Sequence, residues 1–307
     1  MQCANRAASA AGILAVMLLA GCGGGGGGSS SGGTPPPEVT FTIAAAGDIA
    51  DCDGDEPVLT SNYAKTAALV SPQDAVVLTL GDTTYPIGAP VEFTTCFVPT
   101  WGAFKDRIRP TPGNHEYYTP NADGYFNYFG TQAGPDRRGY YSFDYGGWHF
   151  ISLNSNIDAS PGSAQYAWLA ADLAGSQATR CTIAYWHYPV FSSGEHGNVA
   201  QMAKVFEALQ ASGVDIVLSG HDHIYERFAP QNADGVANPA RGIREFVVGT
   251  GGSENYLLMA TRPNSEVRNN TSHGILRLTL GQTGYSWQYV PIAGSNFSDA
   301  GSDTCHP

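Results

Sequence analysis

Positive charge is scarce in this chain. Its 307 residues hold 15 lysines and arginines against 27 aspartates and glutamates, a net charge of −12. Binding the phosphates of nucleic acid needs a basic surface, so no nucleic-acid binding is expected. The same acidity favours solubility. Cysteine is also sparse, six residues in all. No pair has CxxC spacing, which argues against a cysteine metal site. The apolar run Ala11–Ala20 is too short to span a bilayer comfortably. There is no internal repeat and no second linker, so a single folded domain is the economical reading. Hydrophobic content is 42%, enough for a sizeable core.

What is present starts with an N-terminal address. Arg6 gives a small positive region, Ala11–Ala20 an apolar stretch, and Leu19-Ala20-Gly21-Cys22 a small-residue ending. This resembles the bacterial lipoprotein signal, which implies cleavage after residue 21 and acyl chains on Cys22. Such an anchor holds stably to a membrane face, so the expected location is outside the cytoplasm, lipid-anchored to a bacterial membrane. Residues 22–38 are rich in glycine and serine and end in three prolines. They read as a tether with a reach on the order of 20 Å, and the folded domain is expected over 39–307. Cys3 leaves with the signal. Cys52, Cys96, Cys181 and Cys305 remain, an even number in an exported chain. Three pairings are open. Cys52–Cys96 is favoured because both sit in loops that follow strands, and Cys181–Cys305 because it would pin the C-terminal tail.

Apolar patterning predicts strands at Val39–Ala46, Ala75–Leu80, Thr182–Trp186 and Val214–Leu218. Gly146-Gly147 predicts a hairpin between Tyr140–Tyr145 and Trp148–Leu153. Helices are expected over Pro57–Val70, Ser163–Gly175 and Val199–Ala211. From Arg244 the pattern is β-rich, with strands at Glu245–Val248, Ile275–Leu280 and Tyr285–Val290. Strand and helix alternate through the first two thirds, which predicts an α/β fold with a mixed sheet or a second sheet packed on the first.

Five polar clusters follow these strands or extended segments: Gly47-Asp48, Gly81-Asp82-Thr83-Thr84-Tyr85, Gly113-Asn114-His115-Glu116, His187, and Gly220-His221-Asp222-His223. Loops at strand ends converge in open α/β sheets, and glycines let the chain turn tightly there. Imidazole with carboxylate is ligand chemistry for iron, zinc or manganese. Four of the eight histidines fall in these clusters. His221 and His223 share a side if their segment is extended. Glu116 reads as structural, and Asp51, Asp53 and Asp55 as a solvated loop. His149, His273 and His306 receive no chemistry.

The order GD, GDxxY, GNH, H, GHxH resembles the calcineurin-like metallophosphoesterase superfamily. The GDxxY form is similar to its purple acid phosphatase branch, as are Gln165–Leu173, His187–Gly197 and Gly220–Arg227. The resemblance runs from Val39 to about Arg227, and the N-terminal β-domain of the large plant enzymes is not expected here. It implies a sandwich of two mixed β-sheets flanked by helices. It also implies two metal ions bridged by Asp82, one held by Asp48, Tyr85 and His223, the other by Asn114, His187 and His221. A phenolate at Tyr85 suits Fe(III), with Fe(II), Zn or Mn at the second position. The implied reaction is hydrolysis of a small phosphate ester by a metal-bound hydroxide attacking phosphorus in line. His115, and after it His196, would protonate the leaving group. One departure is Ala50, where the family usually has glycine two residues after its first aspartate. A phosphodiesterase or nucleotidase would use the same metals, and a non-catalytic metal-binding surface lipoprotein remains the reading from another class. Oligomeric state is not legible.

Overall fold

The computed structural model describes residues 39–54, 56–176 and 181–306. The signal (1–21), the tether (22–38, with Cys22) and Asp55 lie outside the described residues. Two sheets face each other. The first has six strands: β1 (Phe41–Ala46), β3 (Asp74–Leu80), β5 (Ile108–Thr111), β13 (Gly274–Leu280), β14 (Gly284–Pro291) and β15 (Ala300–Thr304), in the order β15-β14-β13-β1-β3-β5. The second has seven: β6 (Tyr141–Tyr145), β7 (Trp148–Ser152), β8 (Cys181–Tyr185), β9 (Ile216–Ser219), β10 (Tyr225–Phe228), β11 (Arg244–Val248) and β12 (Ser265–Asn269), in the order β12-β10-β11-β9-β8-β7-β6. Both are mixed. β1, β3 and β5 run parallel, as do β7, β8, β9 and β11, whereas β13, β14 and β15 in the first sheet and β6, β10 and β12 in the second join by antiparallel pairs.

Alternation along the strands builds the layers. Ile43 and Ala45 of β1, with Val76, Leu78 and Leu80 of β3, meet Phe150, Ile183, Ile216 and Leu218 in the core between the sheets. Ala44, Ala46 and Val77 point the other way, against Tyr63, Phe97 and Trp101. Ile151, Ala184, Val217 and Val247 pack beneath helices α1 (Ala164–Gly175) and α2 (Ala203–Ala211). Both faces of the parallel strands are covered, which is why those strands read as nearly continuous apolar runs.

Some expectations need correction. The helix expected over 57–70 is a 3₁₀ turn at Val58–Thr60 followed by a short α-helix at Asn62–Ala67. Ser61 divides them, its hydroxyl accepting the Ala64 N–H at 3.2 Å, an N-cap that starts a new helix. The helix expected from Val199 likewise opens with a 3₁₀ turn, Ala200–Met202. Four strands carry no apolar pattern. β12 and β15 are polar edge strands, and β5 holds Pro110, tolerated because β5 is an edge. β10 buries Arg227 by forking it onto Asp299 at 2.7 and 3.1 Å. The disulfides are Cys52–Cys96 and Cys181–Cys305. Cys96 sits in a helical turn, Phe93–Phe97, rather than a loop. Among the described residues no helix is long and apolar enough to cross a membrane.

Candidate metal centre

The parallel strands of both sheets end at one place. Asp48 follows β1, Asp82 follows β3, Asn114 follows β5, His187 follows β8, and His221 follows β9. Tyr85 comes from β4 (Thr84–Tyr85), which pairs in parallel with β2 (Ala50–Asp51), the short strand after Asp48. Asp48, Asp82 and His221 have φ of 59°, 46° and 71°. Non-glycine residues pay for this left-handed backbone, which is common at functional sites whose surroundings enforce it. Gly113 is needed for packing, since a Cβ there would collide with the Asp82 carboxylate.

The structure brings the seven sequence-predicted donors together as two groups around Asp82. In one, Tyr85 Oη lies 2.9 Å from Asp48 Oδ1, 3.3 Å from Asp82 Oδ2 and 3.0 Å from His223 Nε2. His223 Nε2 is 3.3 Å from Asp48 Oδ1. In the other, His187 Nε2 lies 3.1 Å from both Asp82 Oδ2 and Asn114 Oδ1. Ligand atoms of Asp82, His187 and His221 all fall within 4.8 Å of one another.

The backbone fixes the tautomers. His187 Nδ1 donates to Leu80 O at 2.8 Å, and His223 Nδ1 to Glu254 O at 2.6 Å. A carbonyl only accepts, so Nδ1 carries a proton and Nε2 is the ring atom left to face the other donor groups. Burial and then the carboxylates of Asp48 and Asp82 hold the Tyr85 phenol well above its ordinary pKa. Burial opposes ionisation of Asp82, but His187 and His115 outweigh it and lower its pKa. Burial likewise opposes the charged form of His187, yet Asp82 raises it to about 9. His221 falls to about 2 through burial and its neighbours His187 and His196.

This chemistry fits bound cations. Two fully buried carboxylates, and a phenol held protonated by burial and then by those carboxylates, face the Nε2 atoms of imidazoles, with no lysine or arginine among the cavity-lining residues. A multivalent cation satisfies such a set and draws the proton off the phenol.

Above the donors lies a cavity of about 520 Å³. His115 and His196 both line it. His115 gives Nδ1–H to Pro86 O at 2.6 Å, leaving Nε2 3.9 Å from Asp82 Oδ2. His196 is exposed and stacks on His221, ring centroids 4.3 Å apart. The sequence reading missed Tyr118, Tyr188, Gln201 and Tyr256, which complete the wall. Tyr256 stacks on His223 at 3.8 Å, yet it lies in an irregular stretch between β11 and β12 where no pattern marks it. Tyr188 could have been found beside His187. Glu116, read as structural, is fully buried and accepts the N–H groups of Asp82, Thr83 and Gly113 at 3.0, 2.6 and 2.6 Å, which shapes the Asp82 turn. Asp53 N–H turns back to Asp51 Oδ1 at 3.1 Å in the acidic loop.

Residues 41–225 match the family described as calcineurin-like phosphoesterase. The chain belongs to that family. Its similarity within the family is to the purple acid phosphatase branch. It is 34% identical over 179 residues to purple acid phosphatase 18 of Arabidopsis thaliana, an alignment covering 51% of this chain and 40% of that protein. The chain thus spans under half the length of that curated relative. By fold it resembles purple acid phosphatase PPD1 from yellow lupin (Lupinus luteus) seeds, with a TM-score of 0.67 and 19% identity, covering 88% of this chain and 55% of that one. It also resembles GAP50, described as the anchor in the inner membrane complex of Plasmodium, with a TM-score of 0.65, 14% identity, and coverage of 87% and 90%. Such likenesses establish the sandwich. Donors and cavity must carry the function.

Proposed function

We propose that this chain is a binuclear-metal phosphomonoesterase of the purple acid phosphatase type. The observation that carries the reading is the pair of donor groups meeting at Asp82 on the floor of the cavity, with two histidines on its wall. Asp48, Tyr85 and His223 would hold one ion, Asn114, His187 and His221 the other, with Asp82 between them. Bound cations would supply Lewis acidity, drawing charge from the phosphoryl oxygens and acidifying the attacking water. Tyr85 favours Fe(III) in its group as a hard anionic donor, with Fe(II), Zn or Mn in the other. Asn114 gives its amide Nδ2–H to Tyr118 at 3.2 Å, which orients Oδ1 toward His187. His115 and His196 are the candidates to protonate the departing alcohol, since both face the cavity.

The cavity wall favours a single phosphoryl group over a polyphosphate, since no lysine or arginine among the described lining residues is placed to grip a second phosphate. The complete donor set favours an enzyme over a non-catalytic surface protein. Cys22 and the two disulfides support a lipid-anchored location outside the cytoplasm. Purified protein should hydrolyse p-nitrophenyl phosphate and lose that activity on chelation. Turnover of bis(p-nitrophenyl) phosphate at a higher kcat/KM would shift the reading to a diesterase.

A further inference from the structure

Asp222 stands between the two histidines of the GHDH segment, but its carboxylate serves another part of the site. It is fully buried. Oδ1 accepts the His196 N–H at 2.8 Å, and Oδ2 accepts the Gly197 N–H at 3.1 Å and the Ser192 hydroxyl. Ser192 Oγ in turn accepts the Gly194 N–H at 3.0 Å. Gly194 has no room for a side chain, because a Cβ would collide with the Asp222 carboxylate. The rest of the loop is held in the same manner. Glu226 accepts the Ser193 N–H and hydroxyl, both at 2.6 Å. Glu245 accepts the N–H groups of Val190 and Phe191 at 3.0 and 3.2 Å. Three buried acidic side chains thus fix one loop by its backbone, through hydrogen bonds strengthened by low dielectric. Of these three, Asp222 is the one bonded to His196, a loop residue that lines the cavity.

The His196 ring is itself exposed and rests on His221. An exposed imidazole can be placed repeatably only if its backbone is fixed. We propose that Asp222 is the positioning residue for His196, setting the backbone from which that ring reaches the cavity as proton donor to the departing alcohol. This rests on the phosphomonoesterase reading. In the step, the oxygen of water bonds to phosphorus and the bond from phosphorus to the ester oxygen breaks. The imidazolium of His196 gives its proton to that ester oxygen, forming the free alcohol. Water leaves one proton on the phosphate and loses the other to solvent, from which the imidazole is reprotonated. A single segment, His221-Asp222-His223, would then set both the metal donors and the acid.

The test uses two esters that differ in their need for a proton. The alkoxide of glycerol 2-phosphate needs one, whereas p-nitrophenolate leaves readily without it. Asp222→Asn should lower kcat for the alkyl ester more than for the aryl ester, shifting the ratio by about 10²-fold, the usual scale of a general acid. His196→Ala should shift it equally, and the double variant no further. Hydrogen exchange at the His196 and Gly197 amides should quicken about tenfold or more in Asp222→Asn. If Asp222→Asn does not fold, Ser192→Ala removes one of the three donors and should shift the ratio the same way, by about threefold. Equal losses on both esters, additive effects in the double variant, or unchanged exchange at those amides would overturn the proposal. Wild-type protein that cleaved neither ester would end the phosphatase reading, and the exchange result would still decide whether Asp222 holds the loop.

Discussion

The second sheet and the candidate metal centre both bury histidine against aspartate, and they do so differently. On the second sheet, His149 of β7 lies between Asp144 of β6 and Asp172 of α1. Nδ1 is 2.6 Å from one carboxylate and Nε2 2.9 Å from the other. Each nitrogen donates to an anion, so an imidazolium satisfies the cluster without help. At the candidate metal centre, His187 and His223 have spent Nδ1–H on backbone carbonyls, and Nε2 points at carboxylate, amide or phenol. The same residue types make a closed ion pair in one place and an open ligand set in the other. The carbonyl behind the ring marks the difference.

Breaking the open set should cost most. Asp82 belongs to both donor groups, so Asp82→Ala should reduce phosphatase kcat/KM by about 10³-fold or more. Equal rates in wild type and variant would show that the donors are not catalytic. Tyr85→Phe sharpens the comparison within the site. It removes the one phenolate donor, so any visible charge-transfer band of the oxidised protein should disappear. If oxidised wild type shows no such band, Fe(III) at Tyr85 is wrong even should hydrolysis survive. The smallest effect belongs to the closed pair. Burial lowers the His149 pKa, but hydrogen bonds to Asp172 and Asp144 outweigh it and raise it above 6.5. A folded pKa raised above the unfolded value gives stability that is full below about pH 6.5 and lost as pH rises through the folded pKa. The melting temperature should therefore fall with rising pH across that window, and His149→Gln should flatten the decline. An unchanged slope in the variant would show that His149 is not charged in the fold.

Much of the centre was legible because its donors sit in short motifs just after apolar strands. Asp48, Asp82 and His221 follow runs that any periodicity reading finds, and their side chains are the chemistry. The supporting residues were opaque for a physical reason. Asp222, Glu226 and Glu245 act by accepting backbone N–H groups, which every non-proline residue offers, so no partner shows in sequence. Tyr256 arrives on irregular chain. In the fold, β1, β3, β8, β9 and β13 announced themselves by apolar content. The polar edge strands β12 and β15, β5 with its proline, and β10 with its buried arginine did not, because tertiary pairing rather than local pattern makes them strands.

The central claim is that Asp82 joins two cation sites. Metal analysis of purified wild-type and Asp82→Ala protein tests it most directly. Two ions per chain in the wild type and at most one in the variant is the predicted result. A wild type that takes up no metal, or an Asp82→Ala protein that retains two ions, would contradict it.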